Sequence, residues 1–222
     1  MHIKVSAVLF SYLCGMDDKT LHILEQVRLL YHRYGIKSVT MDDVAKHLCI
    51  SKKTLYRYFT DKEDLVRNVV LMDHSNRNKF FQEIKNKNLN AIEELFEVYR
   101  MINTMFRDYN ASMEYDIHKY YPDLSSRVKD IRRKKMYDTM YNNMNKGKKE
   151  GLYRKELNSK IIARLHVFKV ENMYDNDIFT MEELVSFKVF NEVFVYHMQG
   201  IMSAEGRSFF EDNFTRLNAG LG

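Results

Sequence analysis

The chain has 222 residues, a formal charge of +5 and a hydrophobic fraction of 45%. That fraction excludes global disorder, and the length suits one large domain or a small domain joined to a larger one. With one proline, Pro122, and eight glycines there are few interruptions, which predicts an all-α protein of long helices rather than a many-stranded β fold.

The first residues, MHIKVSAVLFSYLCG, contain a short apolar segment from Val5 to Leu13 next to Lys4. It is signal-like, and Cys14 after Leu13 faintly suggests lipidation, but it is far shorter than a membrane span and a helix begins directly after it at Asp17 or Asp18 with no linker, which argues against export. Met16 reads as a natural start, so residues 1–16 are expected to be an N-terminal extension. Cys14 and Cys49 form neither a disulfide framework nor a CxxC pair, which suits a reducing cytoplasm.

The run from Tyr34 to Leu65, YGIKSVTMDDVAKHLCISKKTLYRYFTDKEDL, is dense in helix punctuation. Gly35 ends one helix, and Thr40 caps the next with Asp43 at the capping-box position. Val44, Ala45 and Leu48 give that second helix one apolar face. Ser51 starts a third helix after a very short turn, with Leu55 and Phe59 directed inward at i and i+4. Lys52, Lys53, Thr54, Tyr56, Arg57 and Tyr58 are left for the outside. Thr60, with Glu63, is expected to cap a long helix with Lys62 in its first turn. Lys46, Lys52, Lys53, Arg57 and Lys62 make the segment locally positive, as a phosphate-facing surface requires.

This order of capped helices, with a VAKHL segment followed by LYRYF, resembles the DNA-binding domain of the TetR family of bacterial transcriptional regulators. The resemblance is specific over about Leu21 to Val70. It implies a three-helix helix-turn-helix DNA-binding domain at 17–66 and a larger helical ligand-binding and dimerisation domain at 67–222, with the boundary inside a continuous helix. Matching the motif residue by residue puts Lys52, Lys53 and Thr54 toward base edges, and Thr40, Tyr56 and Lys62 on phosphates. Tyr58 suits either role, and Ser51 and Arg57 complete the DNA-binding set. One departure stands out: the turn position that the family usually fills with glycine is Cys49.

After Lys62 the apolar positions Leu65, Val66, Val69, Val70, Met72, Phe80, Phe81 and Ile84 describe one long helix. Asn86–Asn90 reads as a turn, followed by a helix from about Ala91 to Tyr109. A shorter helix carries Met113, Ile117 and Tyr120, and Pro122 opens the next, which reaches about Lys149. That helix holds Arg127, Lys129, Arg132, Arg133, Lys134 and Lys135, read as a solvated face in preference to a second nucleic-acid contact. Gly147 and Gly151 mark a turn, and Asn158 or Ser159 caps the penultimate long helix. Thr180 and Glu183 form a further capping box. The helix they start is apolar too far around its circumference for one buried side, so a second copy of the chain is expected to cover it.

No phosphate loop, nucleophile elbow, HExxH or metal-ligand spacing occurs, so no catalytic residue, metal or cofactor is expected. His118, His166 and His197 read as ordinary, partly buried histidines. The resemblance implies a homodimer joined through the last two long helices, with Ile162, Leu165, Phe187, Phe190, Phe194 and Met198 at the interface. It also implies a pocket involving Tyr99, Phe106, Met113, Met140 and Phe168 for an apolar or aromatic small-molecule inducer. The partners are then a palindromic double-stranded operator, a second subunit and that inducer, with no membrane. The expected function is a repressor released from DNA by its ligand. The alternatives are a constitutive or accessory DNA-binding dimer without inducer, and a helical ligand- or partner-binding protein that has lost DNA affinity.

Overall fold

A computed structural model describes residues 16–107, 111–173, 178–180, 183 and 188–218. Residues 1–15, including Cys14, lie outside this set. The described residues form ten helices, and their only β-pairing is an isolated bridge between Tyr153 and Met202. In order these are α1 (Asp18–Tyr34), α2 (Met41–His47), α3 (Lys52–Leu55), α4 (Lys62–Asn86), α5 (Ala91–Arg107), α6 (Ala111–Tyr120), α7 (Pro122–Lys149), α8 (Ser159–Asn172), α9 (Lys188–Ile201) and α10 (Ala204–Asn218). Among the described residues no helix is long and apolar enough to cross a membrane.

The chain divides into two compact units, one of Met1–Phe80 with Asn110–Ile131 and the other of Phe81–Tyr109 with Arg132–Gly222. In the first, α1 presents Leu24, Val27 and Tyr31 along one helical face to Val44, Leu55, Phe59, Leu65, Val66 and Val69, all buried. Burial of each such side chain stabilises the fold by about 1.5–3 kcal/mol. This core orients α2 and α3, two short elements of 7 and 4 residues that have little stability of their own.

Helix ends are set locally. Asp17 Oδ1 accepts from the Thr20 N–H at 2.7 Å and starts α1. Gly35, at φ 77°, ends it by donating its N–H to the Tyr31 carbonyl. The expected Thr60 cap is corrected by the geometry. Asp61 Oδ1 accepts from the Asp64 N–H at 2.8 Å, while Asp64, not Glu63, reaches back to the Thr60 N–H. Asp61 immediately precedes the first helical residue, Lys62, so its carboxylate is the one in reach of the third helical amide.

In the second unit Ala91, Ile92 and Phe96 of α5 pack with Met140 and Met144 of α7, Ala163 of α8, Met198 and Ile201 of α9, and Phe210 of α10. A buried polar network ties α5 to α7. The Asn143 amide donates to the Ala91 carbonyl at 2.8 Å and to Glu94 at 3.1 Å, and its oxygen accepts from the Tyr153 hydroxyl at 3.0 Å. Lys146 meets Glu94 at 2.6 Å and also donates to the Leu89 carbonyl. Gly147 is required by packing, since a Cβ there would lie 2.1 Å from the Tyr153 ring. The Thr180–Glu183 capping pair is present, with Glu183 accepting from the Thr180 N–H at 2.9 Å.

Candidate nucleic-acid interface

The helix-turn-helix is assembled from reciprocal local bonds. Thr40 Oγ1 accepts from the Asp43 N–H at 3.2 Å while Asp43 accepts from the Thr40 N–H at 2.9 Å, a complete capping box at the start of α2. This bonding to Thr40 holds the Asp43 carboxyl below its usual pKa. Ser51 Oγ accepts from the Thr54 N–H at 3.0 Å and starts α3.

Between them, the Ile50 N–H reaches the Ala45 carbonyl at 3.0 Å and the Cys49 N–H reaches the Lys46 carbonyl at 3.1 Å. That is a Schellman closure, which requires a left-handed residue after the helix. Cys49 takes that position with φ 53°. The strain expected from a side chain at the family's glycine position is therefore present, at about 1 kcal/mol.

After Leu55, the Arg57 N–H bonds to the Thr54 carbonyl and the Tyr58 N–H to the Leu55 carbonyl. The recognition element thus tightens into a 3₁₀-type turn as it ends. Leu55 and Phe59 are buried, which leaves Lys52, Lys53, Tyr56 and Arg57 exposed on the opposite side. The Lys53 and Arg57 side chains are exposed and make no hydrogen bond or ion pair with the described residues. Lys52 meets Asp42 at 2.9 Å, a hydrogen-bonded pairing that raises its pKa. Both side chains of this pair are about half exposed, so solvent screens the pair and Lys52 can exchange Asp42 for another anion. Tyr58 is half-buried and packs against the first unit's core.

Lys62 is half-buried, and its ammonium donates to the Lys37 carbonyl at 3.2 Å. Burial draws its pKa below the usual lysine value, against the pull of Asp116 and Asp43. Asp116, itself buried, accepts from the Lys37 N–H at 2.8 Å. This link from α6 to the turn before Thr40 has no signal in the sequence, because Lys37 and Asp116 are 79 residues apart. The fit is close, since a Cβ on Gly35 would lie 3.0 Å from Ser112 Oγ and 3.2 Å from Asp116 Oδ2.

Neither unit gathers the expected ligand residues into one pocket. Met113 belongs to the core of the first unit, and Met140 is packed in that of the second. Tyr99 is buried, with its ring stacked on Phe190 at 5.2 Å and on Phe194 at 4.3 Å and its hydroxyl bonded to Asn191 at 2.9 Å. Phe168 lies at the surface, on an open groove with Arg133, Tyr137 and Glu171. The Phe106 side chain lies outside the described residues.

The residues of the expected interface set lie in different settings within the chain. Met198 is fully buried in its own unit, Ile162 packs on that core, and Phe190 and Phe194 face Tyr99. Phe187 lies outside the described residues. Leu165 is exposed, and the stripe it belongs to is Ile161, Leu165 and Phe168 on α8, 53%, 50% and 65% exposed, together with Tyr196 on α9 at 77%.

In the basic run of α7, Arg132 and Arg133 both pair with Glu171, at 2.9 and 2.7 Å, and Lys134 meets Asp138 at 3.4 Å. The Lys135 ammonium sits 4.8 Å above the Phe81 ring. His118 is exposed, contrary to expectation, while the His166 and His197 rings lie 5.3 Å apart. Among the described residues no group of three or more His, Cys, Asp or Glu residues is placed to hold a metal ion.

Capped helices α2 and α3, with the exposed cationic residues Lys52, Lys53 and Arg57, define a helix-turn-helix within the first unit. The family model of the bacterial regulatory proteins of the tetR family matches residues 23–69. Over these residues the chain is similar to the N-terminal DNA-binding domain of the tetR family of bacterial regulatory proteins.

A transcriptional regulator from Cytophaga hutchinsonii superposes with a TM-score of 0.71 at 19% identity, over 84% of this chain and 100% of its own. A structure described as the molecular basis for control of antibiotic production by bacterial hormones gives 0.63 at 16% identity, over 85% and 100%. AibR in complex with isovaleryl coenzyme A and operator DNA gives 0.51 at 17% identity, over 78% and 96%. At these identities the likeness is one of fold. No curated protein sequence matches the chain.

Proposed function

We propose that this protein is a homodimeric, ligand-responsive repressor acting in the cytoplasm, released from a palindromic operator by a small molecule. The observation that carries the reading is the Ser51-capped element. Its buried Leu55 and Phe59 anchor it, and its opposite side offers Lys52, Lys53, Tyr56 and Arg57 to a partner. In this reading residues 17–66 form the DNA-binding domain and 67–222 the ligand-binding and dimerisation domain. Ser51, Lys52, Lys53 and Thr54 enter the major groove; Thr40, Tyr56 and Lys62 hold phosphates, and Arg57 and Tyr58 flank them.

Dimerisation is supported by the exposed apolar stripe of Ile161, Leu165, Phe168 and Tyr196. A solvated row of that kind is costly in a lone subunit and suits a self-complementary contact. In this reading the inducer is an apolar or aromatic molecule held in the second unit, whose interior is rich in aromatic rings such as Tyr99, Phe190 and Phe194. The fold likeness to AibR, whose structure holds a coenzyme A ester together with operator DNA, supports a ligand-responsive reader. To release DNA, the ligand must bind the non-fitting arrangement of the two heads more tightly than the fitting one.

The test is selection of duplexes from a random pool by the full chain. The expected product is a palindrome with half-sites about one helical turn, roughly 34 Å, apart or a multiple of it. On that duplex Lys52→Ala changes base preference, whereas Lys62→Gln weakens selected and random DNA alike. A pool that enriches no sequence overturns the reading.

A further inference from the structure

The end of α6 carries an exposed cluster outside the helix-turn-helix motif. Tyr115 and Tyr120 are 57% and 39% exposed. The Lys119 ammonium donates to the Tyr115 hydroxyl at 2.9 Å and lies 5.2 and 5.5 Å from the Tyr115 and Tyr120 ring centres. The Lys37 ammonium reaches the same Tyr120 ring at 5.0 Å.

The cluster is held in place by the Asp116 link. The Asp116 carboxylate takes the Lys37 N–H, and the Lys37 carbonyl takes the Lys62 ammonium at 3.2 Å. The end of α6 is thus fixed beside Lys62 and the turn that leads into Thr40, within one compact unit. Asp116 is buried and its carboxylate is bonded to the Lys37 N–H, so it makes no ion pair with the cluster, although its charge is felt at Tyr120. Among the described residues neither Lys37 nor Lys119 pairs with a carboxylate, in contrast to Lys52 with Asp42 and Arg67 with Glu63. Two uncompensated ammonium groups and two phenol hydroxyls on one exposed surface form a donor set for phosphate oxygens.

We infer that Lys37, Tyr115, Lys119 and Tyr120 form a second phosphate-binding patch that extends the DNA contact beyond the stretch held by Thr40 and Lys62. The inference rests on the DNA-binding reading above. The patch holds the sugar-phosphate backbone without reading bases, so it adds affinity and salt sensitivity but no sequence preference. It also brings α6, which lies outside the motif in sequence, into direct contact with the nucleic acid.

The experiment compares the full chain, Lys37→Gln/Lys119→Gln and Lys62→Gln on the selected duplex and on a random duplex of equal length, each titrated across salt. Each lysine removed from both subunits of the dimer takes away two phosphate contacts and is expected to lower the slope of log K against log salt by about 1.8, equally on both duplexes. Ethylation interference on the unmodified chain is expected to reveal blocking phosphates that Lys62→Gln retains and Lys37→Gln/Lys119→Gln loses. A double variant with an unchanged slope and interference pattern, beside a Lys62→Gln variant that lowers the slope, overturns the patch and leaves the DNA reading standing. An unmodified chain that binds neither duplex overturns the DNA reading itself, and the patch with it.

Discussion

The Asp116 carboxylate accepts a hydrogen bond from the backbone N–H of Lys37 at 2.8 Å, joining α6 to the turn between α1 and α2. Asp116→Ala leaves that amide without its charged acceptor in a part-buried setting. The expected loss of stability is about 1–3 kcal/mol, read by chemical denaturation, with faster hydrogen exchange at the Lys37 amide than at the Thr54 amide. Equal protection of the Lys37 amide in both proteins would show that the bond contributes nothing.

Cys49 sits at φ 53° in the Schellman closure between α2 and α3. Cys49→Gly is expected to stabilise the protein by up to about 1 kcal/mol, partly offset by the extra freedom of glycine in the unfolded chain. Cys49→Val, β-branched at a left-handed position, is expected to destabilise it. A thermal melt of the three proteins checks the order Gly, Cys, Val, and a reversed order would remove strain as the explanation.

Gly147 faces the ring of Tyr153, and a methyl group there would lie 2.1 Å from it. Tyr153 is fully buried and bonded to Asn143, so it has little room to yield. Gly147→Ala is therefore expected to cost about 1–3 kcal/mol through overpacking, although alanine is the better helix former. In a Tyr153→Ala background the same change is expected to become neutral or stabilising, as a double-mutant cycle would show. Additive effects of the two substitutions would contradict the clash.

His197 is buried, and desolvation lowers its pKa from 6.5 to about 3, with His166 and Lys169 adding to the shift. Burial likewise lowers His166 to about 4, with Lys169 assisting. Both are neutral in the folded protein near pH 7, while the unfolded chain takes up their protons below about 6.5. Stability is therefore complete above that value and falls as pH drops toward the folded values. Between pH 7.5 and 5 the loss is expected to be about 2 kcal/mol from His197 and less from the more open His166. Denaturant midpoints of the wild type and His197→Gln measured over this range check it. A slope that survives the substitution unchanged would assign the pH dependence elsewhere.

Much of the head was legible because its determinants are local. The bonds that start α1, α2 and α3 each span three residues, from Asp17 to Thr20, Thr40 to Asp43 and Ser51 to Thr54. The inward positions Leu55 and Phe59 follow from helical spacing. The start of α4 was misplaced by one residue because Thr60 and Asp61 are adjacent acceptors, and only the position of the first helical turn selects Asp61.

The order and type of helices, the helix-turn-helix and the surplus of apolar surface in the last helices are properties of the sequence, since they rest on spacing, capping and composition. Which apolar side chains that surplus exposes is a tertiary matter. Met198 and Phe194 are consumed by the second unit's own core, and Ile161, Leu165, Phe168 and Tyr196 remain outside. The approach of Asp116 to Lys37 and of Tyr153 to Gly147 was decided in the same way. Such contacts depend on packing that brings distant segments together, and no periodicity along one segment encodes what lies opposite it.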